Sequence, residues 1–120
     1  MPTKIGRAMP KRSRVAPERE DRVFKALANR DRRAILDFVS EQPRSTGTVC
    51  ELLPELDRCT VMLHLKILVQ AELLIAKKVG RSKLHYFNAV PIQRVYERWI
   101  KRIAQPAAKL LTAIATDLKR

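Results

Sequence analysis

From residue 18 onward, apolar residues recur at spacings that divide the chain into short elements. Val23, Phe24 and Leu27 predict a first helix over Glu18 to Ala28, and Asn29 is placed to break or cap it. Ile35, Leu36, Phe38 and Val39 predict a second helix over Arg30 to Glu41. Pro43 ends it, because the residue before a proline is driven out of helical conformation. Ser45, Thr46 and Thr48 are alternative caps for a third helix over Val49 to Leu53, and Pro54 forces a short connection into a fourth over Asp57 to Ala71. In that fourth helix Val61, Leu65 and Leu68 stand at i, i+4, i+7 and face a core, which turns Arg58, Cys59, Met62, Leu63, Lys66 and Gln70 outward. A basic two-stranded hairpin follows, with Lys77, Lys78, Arg81 and Lys83 around a Gly80-Arg81-Ser82 tip. Pro91 then sits where a helix can begin, and Val95, Trp99, Ile103, Leu110, Ile114 and Leu118 make a stripe along a long terminal helix over about 91–119, which Pro106 is expected to kink or split.

The expected fold class is mainly α with a β-hairpin. Helices three and four form a helix-turn-helix, and the hairpin makes it a winged one. A helix presented in this way enters a major groove, and a basic hairpin tip reaches along the backbone to an adjacent minor groove. Charge points to the same partner. The chain carries 25 Lys and Arg against 12 Asp and Glu, a formal charge of +13, and so much like charge calls for a polyanion. Double-stranded DNA is the expected partner. Residues 1 to 17, with three prolines and scattered Lys and Arg, read as a disordered basic arm, and residues 18 to 120 as one winged helix-turn-helix domain. No segment has the apolar length of a membrane span and the N-terminus lacks the apolar stretch of a secretory signal, so a cytoplasmic protein is expected.

The blocks VFKALANRDRRAILDFV at 23–39, ELL at 51–53, TVMLHLKIL at 60–68 and GRSKLHYF at 80–87 resemble the ArsR-type winged helix-turn-helix transcriptional regulators, in the same order and with the same gaps. The resemblance covers roughly residues 18 to 100. It implies that the stretch from Ala26 to Arg33 opens the domain, that His64-Leu65-Lys66 closes the DNA-facing part of the recognition helix, and that Gly80-Arg81 lies at the wing tip. Trp99 in a long final helix resembles the branch of the family without metal sites, in which terminal helices pair across a dimer. Two positions depart from the family pattern. Met62 and Leu63 replace a polar pair that reads bases or phosphates; neither can donate a hydrogen bond, though both can touch a thymine methyl. Glu72 stands where many relatives have glycine, so the chain is expected to leave the helix by a route other than a left-handed turn.

The family's metal site requires two thiols in a Cys-X-Cys arrangement, and the matching stretch, Thr48-Val49-Cys50, holds one; the alternative site on the last helix would have Glu97 and Asp117 but no histidine. No metal and no cofactor are therefore expected. Cys50 and Cys59 read as small packing residues, with a redox or small-molecule effector left unspecified. Paired acid and base groups and phosphate-binding glycine loops are both missing, so an enzyme is not expected. The expected DNA-contacting residues are Arg58, Cys59, Thr60, Met62, Leu63, His64 and Lys66 on the helix and Lys77, Lys78, Arg81 and Lys83 on the wing. Val95, Trp99, Ile103, Leu110 and Ile114 are the expected interface of a homodimer, since the terminal stripe exceeds what a small core can bury. The resulting reading is a dimeric, sequence-specific transcription regulator acting as a repressor. A weakly specific architectural nucleic-acid-binding protein and a protein-interaction module using the terminal helix are the alternatives.

Overall fold

The computed structural model describes residues 17–118, apart from the side chains of residues 101–108. The expected basic arm lies, all but Pro17, outside the described residues. Pro17 is itself the first residue of helix α1 (Pro17–Leu27), where its missing N–H costs no bond, and Glu18 and Glu20 favour the positive end of the helix dipole. Asn29 caps α2 (Arg30–Glu41), its side chain accepting the Arg32 backbone N–H at 3.0 Å. The extended Gln42 before Pro43 ends α2.

Next comes β1 (Arg44–Ser45), two residues long and too short to leave a periodic signal. It adds a third strand to the hairpin. Ser45 also caps α3 (Thr46–Leu52), which begins three residues earlier than its apolar pattern indicates because Thr46 and Gly47 contribute nothing to that pattern. Leu53 caps the other end of α3. The recognition helix α4 (Arg58–Gln70) starts at an Asp57 cap whose carboxylate accepts the Thr60 N–H at 2.7 Å, an interaction that holds the Asp57 carboxyl below its ordinary range.

The strands β2 (Leu74–Val79) and β3 (Ser82–Phe87) pair antiparallel from Leu74↔Phe87 to Val79↔Ser82, and β1 lies along the other edge of β3, giving the sheet order β1-β3-β2. The turn is therefore the two residues Gly80-Arg81. Gly80 has φ of 61°, the left-handed conformation that the first position of such a tight hairpin turn requires and glycine adopts without strain.

One core joins these elements: Val23 and Ala26 of α1, Ile35, Leu36 and Val39 of α2, Val49 of α3, Val61, Leu65 and Leu68 of α4, then Leu73 and Leu74 entering the sheet. The terminal helical run comprises α5 (Val90–Val95, with Pro91 in its first turn), a π-helical turn over Tyr96–Ile100, and α6 (Lys101–Leu118). The irregularity is thus the π turn; the backbone passes Pro106 without a split. Every residue from Lys109 to Leu118 is exposed. Among the described residues no helix is long and apolar enough to cross a membrane.

Candidate nucleic-acid interface

The back of α4 is fixed by Val61, His64, Leu65 and Leu68, an i, i+3, i+4, i+7 stripe buried in the core. That geometry corrects one expectation. His64 was placed among the DNA-facing residues, but it points inward, where its Nδ1 accepts from the Arg32 guanidinium at 3.2 Å. Its spacing of three from Val61 and four from Leu68 was the signal. Burial, then the neighbouring Arg32 charge, pushes the His64 imidazole below its ordinary pKa and favours the neutral ring with its proton on Nε2.

Arg32 is itself buried and does more than hold His64. Its guanidinium donates to the carbonyls of Ala26 at 2.9 Å and Lys25 at 2.9 Å, and Arg33 donates to Leu27 O at 2.7 Å. The last carbonyls of α1 thereby gain side-chain donors from α2, the Lys25 carbonyl in addition to the Ala28 N–H at 3.3 Å. One side chain thus joins the end of α1, the start of α2 and the back of the recognition helix.

The exit from α4 overturns a second expectation. Glu72 does take the left-handed conformation, with φ of 63°. Two backbone bonds close the end of the helix around it, Leu73 N to Leu68 O at 3.0 Å and Glu72 N to Val69 O at 2.9 Å, while Leu68 and Leu73 are both fully buried. This is the Schellman arrangement usually built on glycine. Here the strain is offset by contacts glycine could not make: both carboxylate oxygens of Glu72 accept from Arg19 of α1, at 3.1 and 2.8 Å. Asn88, just beyond β3, donates to the Glu72 carbonyl at 2.8 Å. Arg19 holds the Glu72 carboxyl below its ordinary range.

The front of α4 is different. Arg58, Cys59, Met62, Leu63 and Lys66 are exposed as expected, and Thr60 is half-buried at the capped end. Met62 and Leu63 stand 50% and 55% exposed. Between them and the inner face of the wing lies an open groove of about 450 Å³, walled in part by Cys59, Met62, Leu63, Lys66, Ala76 and Lys83.

On the wing, Lys77, Lys78, Arg81 and Lys83 are all exposed. Lys78 and Lys83 stand directly opposite one another across the two strands, a pairing of like charges that weakens the hairpin until an anion neutralises it. Among the described residues neither these four side chains nor Arg58 and Lys66 engage in an ion pair. Their charge faces solvent. His85, on β3 beside the groove, is 2% exposed and bonds Thr46 Oγ1 through Nε2 at 3.0 Å, tying the wing to the first turn of α3. Burial lowers its pKa as well. The helix and the wing are therefore held as one surface.

Of the residues assigned to the dimer interface, Val95 is half-buried, while Leu110 and Ile114 are exposed. The Ile103 side chain lies outside the described residues. Trp99, 39% exposed, stacks on Phe24 of α1 with centroids 6.0 Å apart, and Arg98 lies over its ring and pairs with Glu20. So α1 is bonded to the recognition-helix exit through Arg19 and to the start of the terminal helix through Glu20 and Phe24. Cys50 is half-buried against the core and Cys59 is exposed, both as free thiols. Among the described residues no group of three or more His, Cys, Asp or Glu side chains could hold a metal ion.

Comparison with known proteins places this geometry. A helix-turn-helix domain model matches residues 27–75, from the end of α1 into β2. An uncharacterised HTH-type transcriptional regulator of Bacillus subtilis (strain 168), YuzN, is 32% identical over 88 residues, which span 68% of this chain and 96% of the relative. An ArsR-like transcriptional regulator from Rhodococcus sp. RHA1 superimposes with a TM-score of 0.62 at 25% identity, covering 82% of this chain and 92% of its own. The homodimeric winged helix-turn-helix DNA-binding domain of Mb0332 from Mycobacterium bovis shares the fold with a TM-score of 0.60 at 22% identity, over 81% of this chain and 88% of its own. The chain belongs to the ArsR-type winged helix-turn-helix transcriptional regulators.

Proposed function

We propose that this chain is a dimeric, sequence-specific DNA-binding regulator that represses transcription from the cytoplasm by occupying promoter DNA. The observation that carries the reading is the front of α4, where Arg58, Met62, Leu63 and Lys66 are exposed beside the opposed Lys78 and Lys83 of the wing. The helix enters the major groove with Arg58 and Lys66 at base edges or phosphates. The wing lays Lys77, Lys78, Arg81 and Lys83 along the backbone, the tip reaching an adjacent minor groove. His64 and His85 stay inside and position these elements.

Dimerisation is supported by the exposed Leu110, Leu111, Ile114 and Leu118 of α6 and by the homodimeric state of the Mycobacterium bovis domain of the same fold. A two-fold pair brings two α4 helices to successive major grooves, roughly 34 to 36 Å apart, and so demands a palindromic site. Selection from randomised duplexes, followed by titration of the selected site and of its isolated half, tests the proposal. A palindrome bound far more tightly than its half-site is expected. Uniform binding to every duplex would replace it with the architectural reading.

A further inference from the structure

We infer that Met62 and Leu63 read the 5-methyl group of pyrimidines, so that the regulator distinguishes thymine from uracil and 5-methylcytosine from cytosine within its site. The inference rests on the DNA-binding reading of α4 and names the feature that the apolar centre of that helix recognises. Met62 and Leu63 lie in the second turn, between Cys59 one turn before and Lys66 one turn after, on the face opposite the buried Val61, Leu65 and Leu68. An isolated exposed apolar residue needs no explanation, but two large neighbours flanked by the exposed basic side chains of Arg58, Lys66 and Lys83 do.

The chemistry leaves few options. Neither side chain can donate a hydrogen bond, and a thioether sulfur accepts only weakly. Against the donors and acceptors of base edges they would leave polar groups without partners. The major-groove floor presents one apolar feature, the methyl on C5 of thymine, and cytosine offers the same position for methylation. The groove beside these residues combines the two chemistries: Met62 and Leu63 contribute to its apolar lining, and Lys66 and Lys83 line it as well, within reach of phosphates that flank a base held there. Lysine supplies affinity without sequence, and the apolar centre supplies the choice of base.

The test starts from the preferred duplex of the full chain. Each thymine is replaced singly by deoxyuridine, which deletes only the methyl, and each cytosine by 5-methylcytosine. One or two thymines per half-site should lose about fourfold in affinity on conversion to uracil, the value of burying one methyl group, and where a cytosine-guanine pair is put in place of such a thymine-adenine pair, 5-methylation of that cytosine should raise affinity by a similar factor. In Met62→Ala and Leu63→Ala chains those methyl effects should shrink towards unity, while the effects of changing other bases persist. A preferred site that tolerates deoxyuridine at every thymine overturns the inference and leaves the regulator reading intact. Methyl effects of the same size in both alanine variants assign the readout elsewhere and overturn it equally. A chain with no preferred duplex at all overturns the regulator reading and this inference together.

Discussion

Two surfaces of this chain leave large apolar side chains in solvent, and their surroundings differ. On α4, Met62 and Leu63 are bordered by Arg58, Lys66 and the wing lysines. On α6, Leu110, Leu111, Ile114 and Leu118 are interspersed between residues 109 and 118 with one base, Lys109, and one acid, Asp117. Apolar exposure alone does not identify a partner. A basic border selects a polyanion, and a long neutral stripe selects another apolar surface, for which a second copy is the economical choice. The mechanical setting differs too. The recognition helix is held at its start by Asp57, along its back by Arg32 and at its exit by Arg19 on Glu72. Residues Lys109 to Leu118 are exposed throughout, and none of them belongs to the core among the described residues. The recognition surface is pre-organised, and the proposed dimer would cover the other.

The most severe way to break this comparison is to place charge on the neutral stripe. If the proposed dimer forms through α6, Ile114→Asp combined with Leu110→Asp should convert it to monomer, since an unpaired charge buried in an interface costs about 3 to 5 kcal/mol. Sedimentation should show the monomer at micromolar concentration, and operator affinity should fall by about two orders of magnitude with the loss of the second half-site. Both residues are exposed in the single chain, so the fold should survive. A doubly substituted chain that stays dimeric would move the interface off α6.

Removing charge from the recognition face should act more gently. Each phosphate contact contributes about 0.9 to the slope of log affinity against log salt. Lys83→Ala and Arg81→Ala should each reduce that slope by about one and weaken all duplexes alike, and Arg58→Ala and Lys66→Ala should also alter which bases are preferred. Sedimentation should stay unchanged in all four. A salt slope near zero for the unsubstituted chain would remove DNA from the account altogether.

Much of this contrast is legible in the sequence. The α2 boundaries, the outward face of α4 and the basic hairpin follow from periodicity and local chemistry that side chains impose on their own backbone. The remainder depends on residues far apart. The left-handed conformation of Glu72 is accompanied by an ion pair with Arg19, 53 positions away, and no local rule anticipates that bond. The inward turn of His64 was legible in principle, since it lies on the Val61-Leu65-Leu68 stripe, but histidine in a DNA-binding motif invites the outward reading. Arg32 is harder: a buried arginine is explicable only once the carbonyls of Lys25 and Ala26 and the ring of His64 converge on it. The two-residue β1 is shorter than any repeat and is defined by its partners on β3.

Substitution at Glu72 sharpens the mechanical half of the comparison. Glu72→Ala keeps the left-handed strain and loses the Arg19 bonds, whereas Glu72→Gly loses the same bonds but relieves the strain. Thermal unfolding should therefore place the alanine chain a few degrees below the parent and the glycine chain at or near it. An alanine chain as stable as the glycine chain would mean that the strain at this turn is negligible.

The smallest expected effect is that of pH, and it should fall on only one of the two surfaces. Both histidines, His64 behind the recognition helix and His85 in the wing, have pKa values lowered by burial, and no histidine lies in the terminal helices. The unfolded chain then binds more protons than the folded one below the ordinary histidine value of about 6.5. Their contribution to stability is complete above that pH and is lost as pH falls through the ordinary value towards the lowered ones, well before Asp57 and Glu72 begin to titrate. Urea unfolding at pH 7.5 and 5.5 should show this loss, and His64→Gln, which keeps an acceptor for Arg32 but cannot titrate, should reduce it. Dissociation of the proposed dimer should be unaltered between the same two pH values, because α6 carries no histidine. Dissociation that followed the histidines would show the two surfaces to be coupled, with α1, bonded to one through Arg19 and to the other through Glu20 and Phe24, as the element that joins them.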